Sequence, residues 1–152
     1  MADQEPPRNQ LVEEIEREHA FLSTELGRLR ELLACGQDVA HCNSCNAQKQ
    51  DSCQNGIDGF LMEFLIFMRQ HFAHEDKSMR KENSPADVHD AFESHITAHA
   101  DMMENLTVAI RSPTVRHQGE KLVALIEHWL DDHIRTHDLF LLDWLRQQAA
   151  KA

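Results

Sequence analysis

Residues Phe60–Met79 read FLMEFLIFMRQHFAHEDKSM. At the helical step of about 100° per residue, with His71 set at zero, Phe60, Phe64, Phe67, Met68 and Met79 all fall within roughly 80° of it. Glu75 falls about 40° away and Glu63 at the stripe's edge, whereas Arg69, Asp76, Lys77 and Arg80 fall elsewhere. The stretch is therefore an amphipathic helix with an imidazole and a carboxylate in the middle of its apolar stripe.

Working outward, three further helices show the same period and no strand is evident. Upstream, Val12, Ile15, Leu22, Leu26, Leu29 and Leu33 recur at three- and four-residue steps and predict a helix over about Asn9 to Cys35. A polar segment from about Gly36 to Asn55, holding Cys42, Cys45 and Cys53, shows no apolar period and is expected to be a long loop inserted before a helix over about Gly56 to Lys81. Ser84-Pro85, with Asp87 at the capping-box offset, predicts the start of a third helix that runs to about Arg111. Ser112-Pro113 repeats the signal for a fourth, to about Gln148. Two short connections predict antiparallel neighbours. The expected fold is an all-α, up-down-up-down four-helix bundle forming one domain over residues 1–152.

Composition narrows the function. The chain of 152 residues carries a formal net charge of −11, which disfavours nucleic acid and anionic lipid as partners. No apolar run of about 18 residues predicts a membrane span, and the polar, proline-bearing start is unlike a signal peptide, so a cytoplasmic location is expected. Eleven histidines are far more than a chain of this size holds by chance. Helix periodicity puts five of them on apolar stripes: His19 on the first helix, His71 on the second, His95 and His99 one turn apart on the third, and His133 on the fourth.

Five imidazoles and a carboxylate aimed into one core are costly unless something pairs with them. A metal is the economical partner, since imidazole with carboxylate suits iron, manganese and zinc. Two octahedral ions offer twelve positions. Five histidines, two bridging carboxylates and one solvent-derived bridge leave one of these open, enough for a small diatomic ligand bound end-on. The ferritin-like pattern needs two Glu-x-x-His pairs, and only Glu16-Arg17-Glu18-His19 has that spacing.

At these positions the chain resembles the hemerythrin family. His71-Phe72-Ala73-His74-Glu75 resembles its H-F-x-x-E, and His95-Ile96-Thr97-Ala98-His99 its H-x-x-x-H. Trp129 to Asp138 resembles its W-L-x-x-H-I-x-x-x-D, and Glu16 to Phe21, with His19, its first-helix segment. The resemblance covers about Leu11 to Leu145. It implies two irons joined by an oxo or hydroxo group and bridged by Glu75 and Asp138. His95, His99 and His133 would hold the saturated iron, and His19 and His71 the iron with the open position, where dioxygen would add.

Three places leave the motif reading open. His133 to Asp138 is a five-residue step, about 140° on a regular helix, whereas His137 lies only about 40° from His133. Asp138 therefore requires a locally widened turn, as in the π-bulges found at functional sites. His89 and Glu93 form a rival His-x-x-x-Glu pair to His95 and His99. Finally, His41, Cys42, Cys45 and Cys53 offer a small zinc site, a redox-active thiol pair, or a loop of free thiols.

The family includes free oxygen carriers, sensor domains and oxidising enzymes. The chain starts with Met1 and stops soon after the fourth helix, which fits a small free protein or the N-terminal module of a signalling protein such as a diguanylate cyclase. The cysteine segment favours sensing of oxygen, another small diatomic or redox state. A carrier or scavenger, and a di-iron peroxidase or nitric-oxide-handling enzyme, are the alternatives.

Overall fold

The computed structural model describes residues 7–34, 45–80 and 84–152, which are almost wholly helical. Helix α1 spans Arg8–Leu33, α2 Ala47–Arg80, α3 Ala86–Ile110, α4 Val115–His128 and α5 Leu139–Lys151. A π-helical segment, Trp129–Asp138, joins α4 to α5. The backbone stays helical through both joints, with φ −57° and ψ −54° at Trp129 and φ −68° and ψ −39° at Asp138. The three pieces therefore form one long last helix, and the described residues form four helices. No described strand is present, and no helix among the described residues is long and apolar enough to cross a membrane.

The second helix starts earlier than its apolar pattern suggests, at Ala47 instead of about Gly56. Its added turns are polar, so they show no apolar stripe to read. They are stabilised locally: the Asn46 side chain accepts the Lys49 N–H at 2.8 Å, and the Gln54 amide donates to Asp58 one turn on. Cys53 thus lies on α2, not in a loop, and Cys45 just precedes it. His41 and Cys42 lie outside the described residues. The helix starts also differ in detail. Pro85, not Ser84, occupies the cap of α3 and makes no side-chain cap bond. At α4 the cap is Thr114, whose hydroxyl accepts the His117 N–H at 3.2 Å.

The core has two parts. One is built from Leu22, Leu26, Leu29, Phe60, Phe64, Met68, Met102, Leu106, Ile126 and Trp129 with their neighbours. The other holds Val12, Ile15, Met79, Val88, Phe92, Leu141, Leu142 and Leu145. Several inward polar residues fall between members of these two clusters: His19 between Ile15 and Leu22, Glu75 between Phe72 and Met79, His95 and His99 between Phe92 and Met102, with His71 beside Phe72 at the first cluster's edge. Burial of the two clusters on either side fixes the height of a polar layer between them.

Truncating a ring in the first cluster should leave a cavity. Phe60 is fully buried, so Phe60→Ala should cost about 3–5 kcal/mol in denaturant unfolding. Met62→Ala, on a side chain 64% exposed, should stay within about 0.5 kcal/mol of wild type.

Candidate metal centre

The layer between the clusters brings together all seven expected residues. Glu75, His95, His99, His133 and Asp138 form one group whose donor atoms lie within 4.8 Å of one another. His19, His71, Glu75 and Asp138 form a second group, and the two share both carboxylates. Glu75 and Asp138 have no solvent exposure.

Each shared carboxylate turns one oxygen to each group. Asp138 Oδ1 lies 2.8 Å from His95 Nε2 and 2.9 Å from His133 Nε2, while Oδ2 lies 2.9 Å from His19 Nε2. Glu75 Oε2 lies 3.1 Å from His99 Nε2 and 3.3 Å from His95 Nε2. Its Oε1 lies 3.5 Å from His71 Nε2 and 3.9 Å from His19 Nε2. His95 Nε2 and His133 Nε2 face each other at 3.1 Å.

The π-helical segment makes this arrangement possible. The Leu139 N–H bonds the Ile134 carbonyl, five residues back, so the turn is one residue wider than in an α-helix. Residues five apart then share a face, and Asp138 joins His133 in the core. His137, which a regular helix would have put there, is outside both groups. Its ring stacks at 5.2 Å on His95, and burial, with His133 and His95 nearby, lowers its basicity. His89 and Glu93 are likewise outside both groups and line a separate pocket of about 300 Å³ with Arg80 and Phe92.

Two carboxylates that periodicity did not single out orient the rings from behind. His71 Nδ1 donates to Glu18 Oε2 at 2.6 Å, and His99 Nδ1 donates to Asp76 Oδ1 at 2.8 Å. Each bond puts the ring proton on Nδ1 and leaves Nε2 with a free lone pair facing inward, the usual way of preparing a histidine ligand. Glu18 and Asp76 each adjoin an inward residue, His19 and Glu75, but lie about 100° off the stripe, where a solvated acid is the ordinary expectation. Trp129 stacks on His133 at 4.0 Å and Phe72 on His99 at 4.1 Å, completing an apolar wall.

The charge balance is unusual. His19 Nε2, His71 Nε2, His99 Nε2 and all four oxygens of Glu75 and Asp138 are buried with no well-formed hydrogen bond, although they crowd one another. Burial pushes Glu75 up, but His71 and the contacts from His95 and His99 hold it down to about 2. Asp138 is likewise driven below the usual carboxylate range, against its burial, by His133, His19 and His95. Burial alone would lower His95, but Asp138 and Glu75 raise it to about 9. Burial and the repulsion of His95 and His99 lower His133 in spite of Asp138. Without a metal, protons take up part of the electrostatic role; cations bound within the two overlapping groups would satisfy these lone pairs.

No protein family, curated protein or solved structure matches the chain. Fold and site define its class by themselves: an all-helical chain with a buried His/Glu/Asp group able to hold a metal ion.

The metal-free chain should be most stable in a mildly acidic window. Glu75 adds stability above its unfolded value of 4.5 and loses it as pH falls toward about 2. His95 adds stability below its unfolded value of 6.5 and loses it as pH rises through about 9. Thermal melts of metal-free protein should therefore give the highest Tm between these unfolded values. A Tm that climbs steadily from pH 6.5 to 9 would contradict this balance.

Proposed function

We propose that the chain is a hemerythrin-like domain: an up-down-up-down bundle that holds two irons, binds dioxygen or a similar small diatomic, and reports oxygen or redox state. The observation behind this reading is the pair of overlapping donor groups, one with three histidines and one with two, sharing both Glu75 and Asp138. A single ion cannot use seven such ligands, whereas two octahedral ions can.

The bundle topology is supported by the order of contacts along the helices. Glu18 meets His71 and Arg28 meets Glu63, so α1 and α2 run in opposite directions. Asp76 meets His99 while Met79 and Phe92 share a pocket, which reverses α3 against α2. Phe92 meets Trp144 and His99 meets Trp129, which reverses the last helix against α3.

When bound, the iron pair supplies electrons and an open position for the diatomic ligand. The chain's own residues set where that position falls and what reaches it. The group of His19 and His71 has one imidazole fewer, so the open position belongs on the side between α1 and α2. Phe67 stacks on His71 at 5.9 Å, and Phe21 covers Phe67 at 4.7 Å. Together with Trp129 these rings exclude water and anions while letting a small apolar ligand pass. Glu18 holds the His71 ring in its ligating orientation.

Sensing rather than carriage is supported by the continuity of α2. One helix runs from Ala47 past Cys53 to His71 and Glu75, so strain at the open-position ligands has a rigid route to the cysteine-bearing end. A sensor needs such a two-state element biased by its ligand.

Elemental analysis of fully loaded protein should find about two irons per chain, with iron charge-transfer absorption in the near ultraviolet; one metal per chain would sink the dinuclear reading. Asp138→Ala should abolish two-iron loading, while His137→Ala should retain it. For sensing, hydrogen exchange over residues 47–60 should differ between reduced and oxidised forms. Identical protection there would favour the carrier reading.

A further inference from the structure

Outside the buried cluster, α1 and α2 bring Glu14, Glu18 and His74 together, with one donor atom from each lying within 4.8 Å of the others. All three are partly exposed, the Glu18 side chain at 15% and that of His74 at 39%. Glu14 and Glu18 are one turn apart on α1, and His74 is one turn beyond His71 on α2. Two arginines of the same surface are paired with other acids: Arg17 with Glu13 at 4.0 Å, and Arg146 with Glu16. Two carboxylates and an imidazole thus converge on one place.

Glu18 belongs to both places. Its Oε2 accepts from the buried His71, and its Oε1 accepts from His74 at 2.8 Å. The two bonds lock its rotamer, which removes much of the ordering cost that an exposed acid would face on binding an ion.

We propose that Glu14, Glu18 and His74 form a partly exposed site for one divalent cation, distinct from the buried cluster and joined to it through Glu18. A mixed oxygen and nitrogen donor set suits Mn2+, Fe2+ or Zn2+, with water filling the remaining positions. The shared carboxylate makes the two places interdependent. A cation on Glu18 draws charge from the bond that orients His71, so occupancy outside reaches the open-position side of the centre.

The test is a titration of the full chain with Mn2+, following free ion by electron paramagnetic resonance. Wild type is expected to bind one more ion than Glu14→Gln, and His74→Ala should weaken that extra ion at least about tenfold. Far-ultraviolet circular dichroism and melting curves check that both variants fold as wild type does. Equal numbers and affinities in all three folded proteins would overturn the proposal. The outcome is separable from the fate of the buried centre. If the buried residues take no metal, wild type still binds one Mn2+ that Glu14→Gln does not; if they do, the difference of one ion is superimposed on an unchanged buried content.

Discussion

Two carboxylates, Glu75 and Asp138, meet fully buried at the centre of the bundle, and neither makes a well-formed hydrogen bond. Like charges at such a depth repel strongly and lose their hydration, so the fold is tenable only if positive charge is supplied between them. His95 and His71, both raised in basicity by the buried carboxylates, supply it as protons in the metal-free chain, and the inward lone pairs offer themselves to metal ions when protons leave. The whole polar layer, and the two apolar clusters that seal it above and below, can be understood as the housing for that one charge problem.

The housing is itself polar at its outer edge. Glu18 and Asp76 take the Nδ1 protons of His71 and His99, which decides which nitrogen of each ring faces inward. His95 and His133 have no such backing among the described residues and instead point their Nε2 atoms at each other and at Asp138. The centre is therefore stiffened unequally. Each donor group has one ring oriented from behind, and the face between α3 and the last helix relies more on stacking, with Trp129 against His133.

Much of this was legible in the sequence because it rests on period. His71 and Glu75, and His95 and His99, are four apart in apolar stripes, so their shared face follows from helix geometry alone. Asp138 does not follow from it. A regular helix would have chosen His137, and only the motif resemblance pointed to the widened turn. Glu18 and Asp76 were missed because an acid beside a stripe normally faces water, and nothing local shows that a neighbouring helix brings a histidine to meet it. The early start of α2 was hidden for a related reason. Ala47 to Asn55 is polar all round, so its helicity depends on the Asn46 cap and on side-chain pairs, not on burial that a pattern can reveal.

The widened turn between Trp129 and Asp138 also sets the phase of everything that follows it. One residue more than an α-helix needs rotates the rest of the chain by about 100° about its axis. Leu141, Leu142 and Leu145 are fully packed only in that rotated setting. Deleting a single residue from the segment would straighten the helix, but it would also carry Leu142, Asp143 and Arg146 into the places now filled by Leu141, Leu142 and Leu145. The placement of one carboxylate and the anchoring of the last 13 residues of helix are thus a single geometric commitment. A descendant of this chain could not abandon the one by a simple deletion and keep the other, so the centre is held in place by the hydrophobic core as firmly as the core is shaped around the centre.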